Sequence, residues 1–529
     1  MNKRKYLVPI FLMLISIGVL IGMKVNTATS GDNIFENVKK FNEALTLVQK
    51  NYVEDVNTDK LTEAAIRGML GELDPHSVYI TADQLKKVNE DFQGSFEGIG
   101  VEFDIINDTI TIVTPISGGP SEALGIQAGD KIVKIDDVSA IKMTREDVPK
   151  KLRGTKGTKV HVSIVRAGTP GLLEFDIIRD KIPLYSVDPF FMVNENVGYI
   201  RVTRFSATTY DEFSKALETM KGQGMTKLVL DLRNNPGGYL DQAFKMASMF
   251  IDRGKKIVYT KSRIPAYNEE YLSEGGEYTK MPLIVLVNDG SASASEIVSG
   301  AIQDWDRGLI IGENTFGKGL VQRQYDLSDG SAMRVTTSRY YTPTGRLIQK
   351  PYIGGKYETM LNAELNGEDP VHKDKTDTTR PVFKTPDGRT VLGGGGVTPD
   401  YIVRLDTLTE YSVQLRRLNL FLEYTNTYYD ANKDRLKSQY SGYVQFRDDF
   451  RVSEDMLRDF QSLATTKGIT FNDEQWNRDL EFITTSIKSI LARDIWGNAG
   501  SMAVFLATDT QFNRAMELFP EAEKLAHLK

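Results

Sequence analysis

The apolar run Pro282-Leu283-Ile284-Val285-Leu286-Val287 stops at Asn288-Asp289-Gly290, and the chain resumes as Ser291-Ala292-Ser293-Ala294-Ser295-Glu296-Ile297. That pattern reads as a strand ending in a glycine-led turn that reopens as a helix, which commits this stretch to an α/β layer. It also sets serines on an exposed turn, where a hydroxyl can serve as a nucleophile. Shortly downstream, Phe316-Gly317-Lys318-Gly319-Leu320-Val321-Gln322 offers a glycine-flanked lysine as the base. The only histidines are His76, His161, His372 and His527, none beside a recognisable nucleophile in the sequence. A Ser-His-Asp triad is therefore disfavoured against a Ser-Lys pair.

The turn lies within an α/β core. From Val197 to about Ile348 apolar strands alternate with amphipathic helices: Tyr210 to Met220 as a helix, Lys227 to Arg233 as a strand, Leu240 to Ile251 as a helix. With 529 residues, at ~150 residues per domain the chain has room for roughly three or four units. Residues 31–91 read as a helical N-terminal region, with Asp74-Pro75-His76-Ser77 as a breaker. Residues 92–183 read as a β-rich module, with Thr109 to Val113 and Val160 to Val165 among its strands. The core spans 184–403 and includes a polar, turn-rich insertion over 351–390. Residues 404–529 form an α-rich extension without a chemical motif, in which Leu415 to Tyr424 and Trp476 to Leu491 read as helices. Its role stays open among covering the core, docking a partner and stabilising the fold.

A net charge of −6 supplies no broad positive field, so nucleic acid is not an expected partner. The absence of cysteine excludes disulfides, thiolate catalysis, Cys-ligated metals and lipid attachment through an N-terminal cysteine. At the N-terminus, Lys3-Arg4-Lys5 precedes an uncharged, mostly apolar run from Tyr6 to Met23 closed by Lys24. The run exceeds the 7–15 residues of a signal-peptide core and sits at the low edge of the ~20 that cross a bilayer. Asn26-Thr27-Ala28 lacks the small residue that cleavage after Ala28 would need. The expectation is a single-pass membrane anchor with the body on the extracytoplasmic side; the alternative is a cleaved signal peptide with release to the periplasm.

A serine hydroxyl needs a base and donors for the oxyanion it creates. A strand-to-helix turn would aim the first backbone N–H groups, including that of Ala294, at such an oxyanion. Asp231-Leu232-Arg233-Asn234-Asn235-Pro236-Gly237-Gly238 offers a second set, because glycines let the backbone approach substrate closely. The bland reading of Ser293-Ala294-Ser295-Glu296 is a helix capping box. Local sequence leaves Ser291, Ser293 and Ser295 all open as nucleophile. Lys318 must be neutral to act as a base, which needs a shift of about three units through desolvation or nearby positive charge. Its bland reading is a solvated surface charge. Gln322 would fall on the same side as Lys318 in a helix or a strand and could hold its amine.

These segments, with Leu327-Ser328-Asp329-Gly330-Ser331 and Tyr340-Tyr341-Thr342-Pro343-Thr344-Gly345-Arg346 downstream, strongly resemble the C-terminal processing peptidases, or tail-specific proteases, from about residue 34 to about 403. The resemblance implies an α/β fold with a crotonase-like ββα core, a Ser-Lys dyad and an inserted PDZ domain. It implies Ser293 as nucleophile, 25 residues before Lys318, and Gln322 as the assisting residue. Gly237, Gly238 and Ala294 would supply the oxyanion donors. Neither metal nor other cofactor is implied.

Gly98-Ile99-Gly100-Val101 resembles a PDZ carboxylate-binding loop, in which backbone N–H groups take a peptide's terminal carboxylate while the peptide pairs beside Val101-Glu102-Phe103. Leu124 to Ile135 resembles the PDZ core signature, with Asp136-Asp137 as a departure expected to alter a turn. The expected partners are protein or peptide substrates bound by their C-termini, with the membrane reached through the N-terminal segment; a homo-oligomer or an adaptor is left open. The expected function is an exported or membrane-anchored serine endopeptidase. The alternatives are a non-catalytic PDZ scaffold on a degenerate core and a crotonase-like acyl-CoA enzyme.

Overall fold

The structure, a computed structural model, describes residues 33–353, 356–357, 380–405 and 407–527. The chain divides between Leu73 and Asp74 into two compact units. The described part of the first contains the helices Ile34–Asn51 and Thr58–Gly71, the second capped by Asn57, whose side chain accepts the Lys60 N–H at 3.0 Å. The expected single-pass anchor is corrected: among the described residues no helix is long and apolar enough to cross a membrane. The run from Tyr6 to Met23, on which that expectation rested, lies outside the described residues, as does most of the insertion.

The second unit begins with a short strand and the helix Ala82–Gln93, then enters the β-rich module. Its sheet runs Val101–Ile106, Thr109–Pro115, Lys131–Ile135, Lys159–Val165, Leu173–Ile178, all neighbours antiparallel, and leaves Val101–Ile106 as an edge. Ile110, Ile112, Ile132, Val160, Val162 and Ile164 are fully buried, because alternation puts them on the face covered by the helix Asp147–Leu152 and its Val148 and Leu152. Asp136 and Asp137 form the two-residue turn of a hairpin with φ of 48° and 64°, a conformation in which aspartate is tolerated in place of glycine. The ingoing strand Ser95–Gly98 pairs antiparallel with the outgoing strand Asp180–Pro183, Ser95 opposite Pro183.

The central sheet has six strands in the order Val187–Met192, Val197–Val202, Lys227–Asp231, Leu283–Val287, Leu309–Gly312, Tyr401–Ile402, parallel except for the first pair. All five residues of Leu283–Val287 are buried. Leu283, Val285 and Val287 pack against the helices Thr209–Gly222, Leu240–Ser248 and Ala294–Asp304. Ile284 and Leu286 face the other way, onto Leu506, Phe512, Leu518 and Phe519 of the C-terminal region. A parallel strand needs cover on both faces, and the C-terminal helices provide the second cover. An antiparallel sheet built on Ala332–Tyr341, with Leu320–Asp326 and Lys256–Lys261 as neighbours, completes the core.

The C-terminal region also has its own core around Phe446, Phe460, Trp476, Ile483 and Leu491. Two of its expected helices are interrupted. The stretch Leu415 to Tyr424 breaks at Asn419, whose φ of 54° separates Glu410–Arg417 from Leu420–Gln439. The stretch Trp476 to Leu491 breaks at Asp479, whose carboxylate accepts the Thr409 N–H and hydroxyl at 2.9 and 2.6 Å. In both, a short polar side chain prefers a turn to helix continuation. The same region meets the β-rich module at Asn107, which donates to Glu423 at 3.0 Å and accepts from Lys467 at 2.8 Å.

Candidate active site

Three adjacent parallel strands end together: Asp231 lies opposite Leu286, and Val287 opposite Gly312. The chain beyond each strand therefore emerges at one edge of the sheet, where sites of open α/β folds form. The first delivers Arg233 to Gly238, the second Asn288 to Ser293, and the third the loop carrying Lys318. Ser293, Ala294, Gly237, Gly238, Lys318 and Gln322 all line one cleft of about 1070 Å³.

The three serines have separate fates. The Ser291 hydroxyl, fully buried, donates to the Leu232 carbonyl at 2.8 Å, and that of Ser295 donates to the Asn235 carbonyl at 2.9 Å. Neither hydroxyl is left for a substrate. Ser293 lines the cleft and stands at the head of Ala294–Asp304 with φ 55° and ψ −109°. A non-glycine residue in that region costs on the order of 1–3 kcal/mol, so the surrounding hydrogen bonds must impose it.

Those bonds come from two side chains that local sequence does not reveal as site residues. Glu296 is fully buried. Its carboxylate accepts the Ser293 N–H at 2.8 Å and the Lys318 N–H at 2.9 Å on one oxygen, and the Gly317 N–H and Thr315 hydroxyl at 2.8 and 2.5 Å on the other. Burial pushes its pKa up, against the pull of these four donors. The buried Tyr340 hydroxyl lies 2.7 Å from the Lys318 carbonyl and 3.0 Å from the Ser293 carbonyl, sharing one proton between them. Serine and lysine are thus tied to each other at both N–H and C=O. Hydrogen bonds to a charged group contribute about 1.5–3 kcal/mol each. The sequence offered Glu296 only as a cap.

Burial, then the nearby Arg334 guanidinium, pushes the Lys318 pKa down from 10.5. Among the described residues its amine has no hydrogen-bond partner, and none joins it to the Ser293 hydroxyl. Lys318 lies just outside the strand Leu320–Asp326 that carries Gln322, and although that strand bulges between Val321 and Gln322, both side chains line the cleft. The Gln322 amide donates weakly to Thr336 Oγ1 at 3.4 Å, and Thr336 donates to Asp74 at 3.1 Å.

The turn bearing Gly237 and Gly238 is pinned from both sides. Asn235, fully buried, donates to the Val202 carbonyl at 2.8 Å, and its own carbonyl accepts the Ala292 N–H at 2.9 Å. Its Oδ1 accepts the Gly237 N–H at 2.9 Å, which takes that donor out of the cleft. Phe205 bridges the Gly237 carbonyl and the Tyr239 N–H at 2.9 and 2.8 Å, so the N–H of Gly238 between them faces away from this ladder. The N–H groups of Gly238 and Ala294 have no acceptor among the described residues. A Cβ on Gly238 would lie 2.1 Å from the Phe205 carbonyl oxygen, and one on Gly237 2.8 Å from the Ser293 Cβ; only glycine fits either place.

His76, distant in sequence, stands beside this site. Its ring packs on Phe316 and Tyr357, and its Nε2 bonds the Tyr357 hydroxyl. Burial, then the Lys318 charge, lowers its pKa to about 4, so it is neutral at neutral pH. In the β-rich module Ile99 is buried, with its carbonyl held by the Ser121 N–H and hydroxyl at 3.2 and 2.6 Å, and the Gly100 carbonyl accepts the Ile116 N–H at 2.9 Å. The N–H groups of Ile99 and Gly100 have no acceptor among the described residues, and Val101 opens the free edge strand.

Sequence comparison places this cleft among known proteins. A profile described as "Peptidase family S41" matches residues 196–358, "PDZ domain" 87–165, "Activating protease CtpB N-terminal domain" 21–84, and a "Family of unknown function" 411–497. The chain is 38% identical over 347 residues to a carboxy-terminal processing protease CtpA of Bacillus subtilis, covering 65% of this chain and 72% of the relative. It is 38% identical over 328 residues to a carboxy-terminal-processing protease of Bartonella bacilliformis, covering 61% and 75%. A photosystem II D1 C-terminal processing protease of solved structure is 29% identical, covers 70% of this chain and 93% of its own, and superposes with a TM-score of only 0.36. The chain belongs to the carboxy-terminal processing proteases of peptidase family S41. It is accordingly a serine-type endopeptidase with a PDZ domain.

Proposed function

We propose that this protease cuts peptide bonds with Ser293 as nucleophile and Lys318 as base, on proteins recognised by their C-termini. The carrying observation is the shared clamp: Glu296 and Tyr340 bind the backbones of both residues, while both side chains line the cleft and the Lys318 amine has no hydrogen-bond partner among the described residues. Neutral Lys318 takes the Ser293 proton as Oγ bonds the scissile carbonyl carbon, and the carbonyl electron pair moves to oxygen. The Gly238 and Ala294 N–H groups receive that oxyanion; Gly237 supports them sterically, its own N–H being committed to Asn235. The tetrahedral species collapses with cleavage of the C–N bond, and the Lys318 ammonium returns the proton to the leaving amine. Water then attacks the acyl carbonyl carbon, Lys318 again taking the proton, and the second tetrahedral species collapses with cleavage of the ester C–O bond as the Lys318 ammonium returns that proton to Ser293 Oγ. Gln322 steers the lysine once its weak bond to Thr336 gives way.

Supporting the recognition step are the unpaired Ile99 and Gly100 N–H groups, which suit a terminal carboxylate, and the free edge at Val101, which suits an added strand. His76 is a poorer base than Lys318, since a pKa of about 4 leaves it little affinity for a proton. Casein degradation by the wild type, lost in Ser293→Ala and in Lys318→Ala, tests the reading. Activity retained in Ser293→Ala would remove the nucleophile, and the absence of any degradation would favour a scaffold.

A further inference from the structure

The C-terminal region reaches the root of the oxyanion turn. Arg233 closes the strand Lys227–Asp231 and immediately precedes Asn234-Asn235-Pro236-Gly237-Gly238. Its guanidinium folds back on Asp231, with contacts of 2.7 to 3.1 Å, and Asp231 also accepts the Tyr199 hydroxyl at 2.7 Å. The remaining nitrogen, Nη1, donates to Asp509 Oδ2 at 2.6 Å and to Gln511 Oε1 at 3.0 Å. The side chains of Arg233, Asp231 and Asp509 are 9%, 3% and 1% exposed. Asp509 is fixed in turn as the N-cap of Thr510–Glu517, accepting the Phe512 N–H at 3.0 Å, and Gln511 donates to the Val403 carbonyl at 2.8 Å. The cluster holds two carboxylates against one guanidinium, and the helix N-terminus helps to hold the excess negative charge.

From Arg233 the connection to the reacting groups is short. The Leu232 carbonyl accepts the Asn235 N–H at 3.2 Å and the Ser291 hydroxyl at 2.8 Å, and the Asn235 carbonyl accepts the Ala292 N–H. These bonds link the segment after Arg233 to the segment that leads to Ala294, so a shift of Arg233 would strain the links on which the spacing of Gly238 and Ala294 depends. We propose that Asp509 and Gln511 are positioning residues for the oxyanion site: through Arg233 they set the separation of its two N–H groups, and the C-terminal region is an integral part of the active site. The proposal rests on the assignment of Ser293 and Lys318, which the Ser293→Ala control tests independently.

The test uses full-length protein carrying Asp509→Asn or Gln511→Met. Removing one oxyanion donor typically costs 10²–10³ in kcat, so misplacing one without removing it should cost roughly 10- to 100-fold. Asp509→Asn and Gln511→Met should show that fall in kcat with KM nearly unchanged. Affinity for a peptide boronic acid, whose tetrahedral adduct places an oxygen at Gly238 and Ala294, should fall by the same factor, while a peptide amide binds as before. If Asp509→Asn fails to fold, Gln511→Met decides alone, since it leaves the buried charges in place. Folded Gln511→Met with wild-type kcat and boronate affinity would overturn the proposal, as would a Tm loss with unchanged kcat in both variants.

Discussion

Lys318, in the cleft, and Lys488, in the helix Leu480–Leu506, are both held below the ordinary lysine range by burial, each with an arginine as the next cause: Arg334 for the first, Arg451 for the second. Lys488 is brought down to about 8. Its amine, however, donates to the Arg447 and Phe450 carbonyls at 2.6 Å each, ending the helix Tyr443–Asp449 as a cap. Lys318 has its backbone fixed at both ends and its amine left without an acceptor among the described residues. A lowered pKa reports enclosure wherever it occurs. What separates a base from a structural ammonium is that the protein holds the chain around the lysine and leaves the nitrogen alone.

The largest expected effect breaks the comparison outright. Lys318→Met, like Ser293→Ala, should lower kcat/KM by at least about 10³-fold, since members of a unit that acts together fail together. Lys488→Met should leave kcat/KM within about twofold and lower stability instead, by about 1–3 kcal/mol for the carbonyls left unpaired. Steady-state kinetics and thermal unfolding of the three variants separate the roles. Wild-type kinetics in Lys318→Met would end the distinction.

Next in size is a stability effect of opposite sign. A lysine whose folded pKa is lowered binds fewer protons in the native than in the unfolded state between that pKa and 10.5, so native stability rises with pH through this window. Lys318→Met removes the penalty and should melt above wild type at pH 7, with the gap closing as pH approaches 10.5. A constant gap across that range would show that folding does not lower the Lys318 pKa. A smaller effect tests the electrostatic half of the argument. Arg334→Gln takes a positive neighbour away from Lys318, so its pKa should rise and the rising limb of the pH–rate profile, on the acid side of the optimum, should move to higher pH. An unmoved limb would leave burial as the sole cause. Smallest of all, Gln322→Ala should cost only a few-fold in kcat, as removal of an aid to proton transfer.

How much of this was legible depended on whether the evidence was local. The serine turn, the lysine loop and the double glycine announce themselves because turn chemistry and close approach constrain nearby residues, and the Asp136-Asp137 departure falls on a hairpin turn as expected. Glu296 looked like an ordinary helix cap because half of its work, the Ser293 N–H, is capping; its other half lies across 22 residues, at Lys318. Nothing local gives Tyr340, His76 or Asp509 its part in the site, since each meets it only after distant strands or helices have packed. Gln322 reaches the same cleft as Lys318 across a bulge, which periodicity cannot foresee. Asn419 and Asp479 likewise turned the chain inside stretches whose apolar spacing suits a helix.

The paired strands Ser95–Gly98 and Asp180–Pro183 mean that the chain leaves the catalytic body and returns to it side by side, with the Leu184 N–H bonded to the Gly94 carbonyl at 2.8 Å. Neighbouring strands are about 4.8 Å apart, a gap that a tight hairpin turn spans. The PDZ domain is therefore a cassette: it can be excised, or exchanged for another small domain with adjacent termini, without lengthening any connection in the rest of the protease.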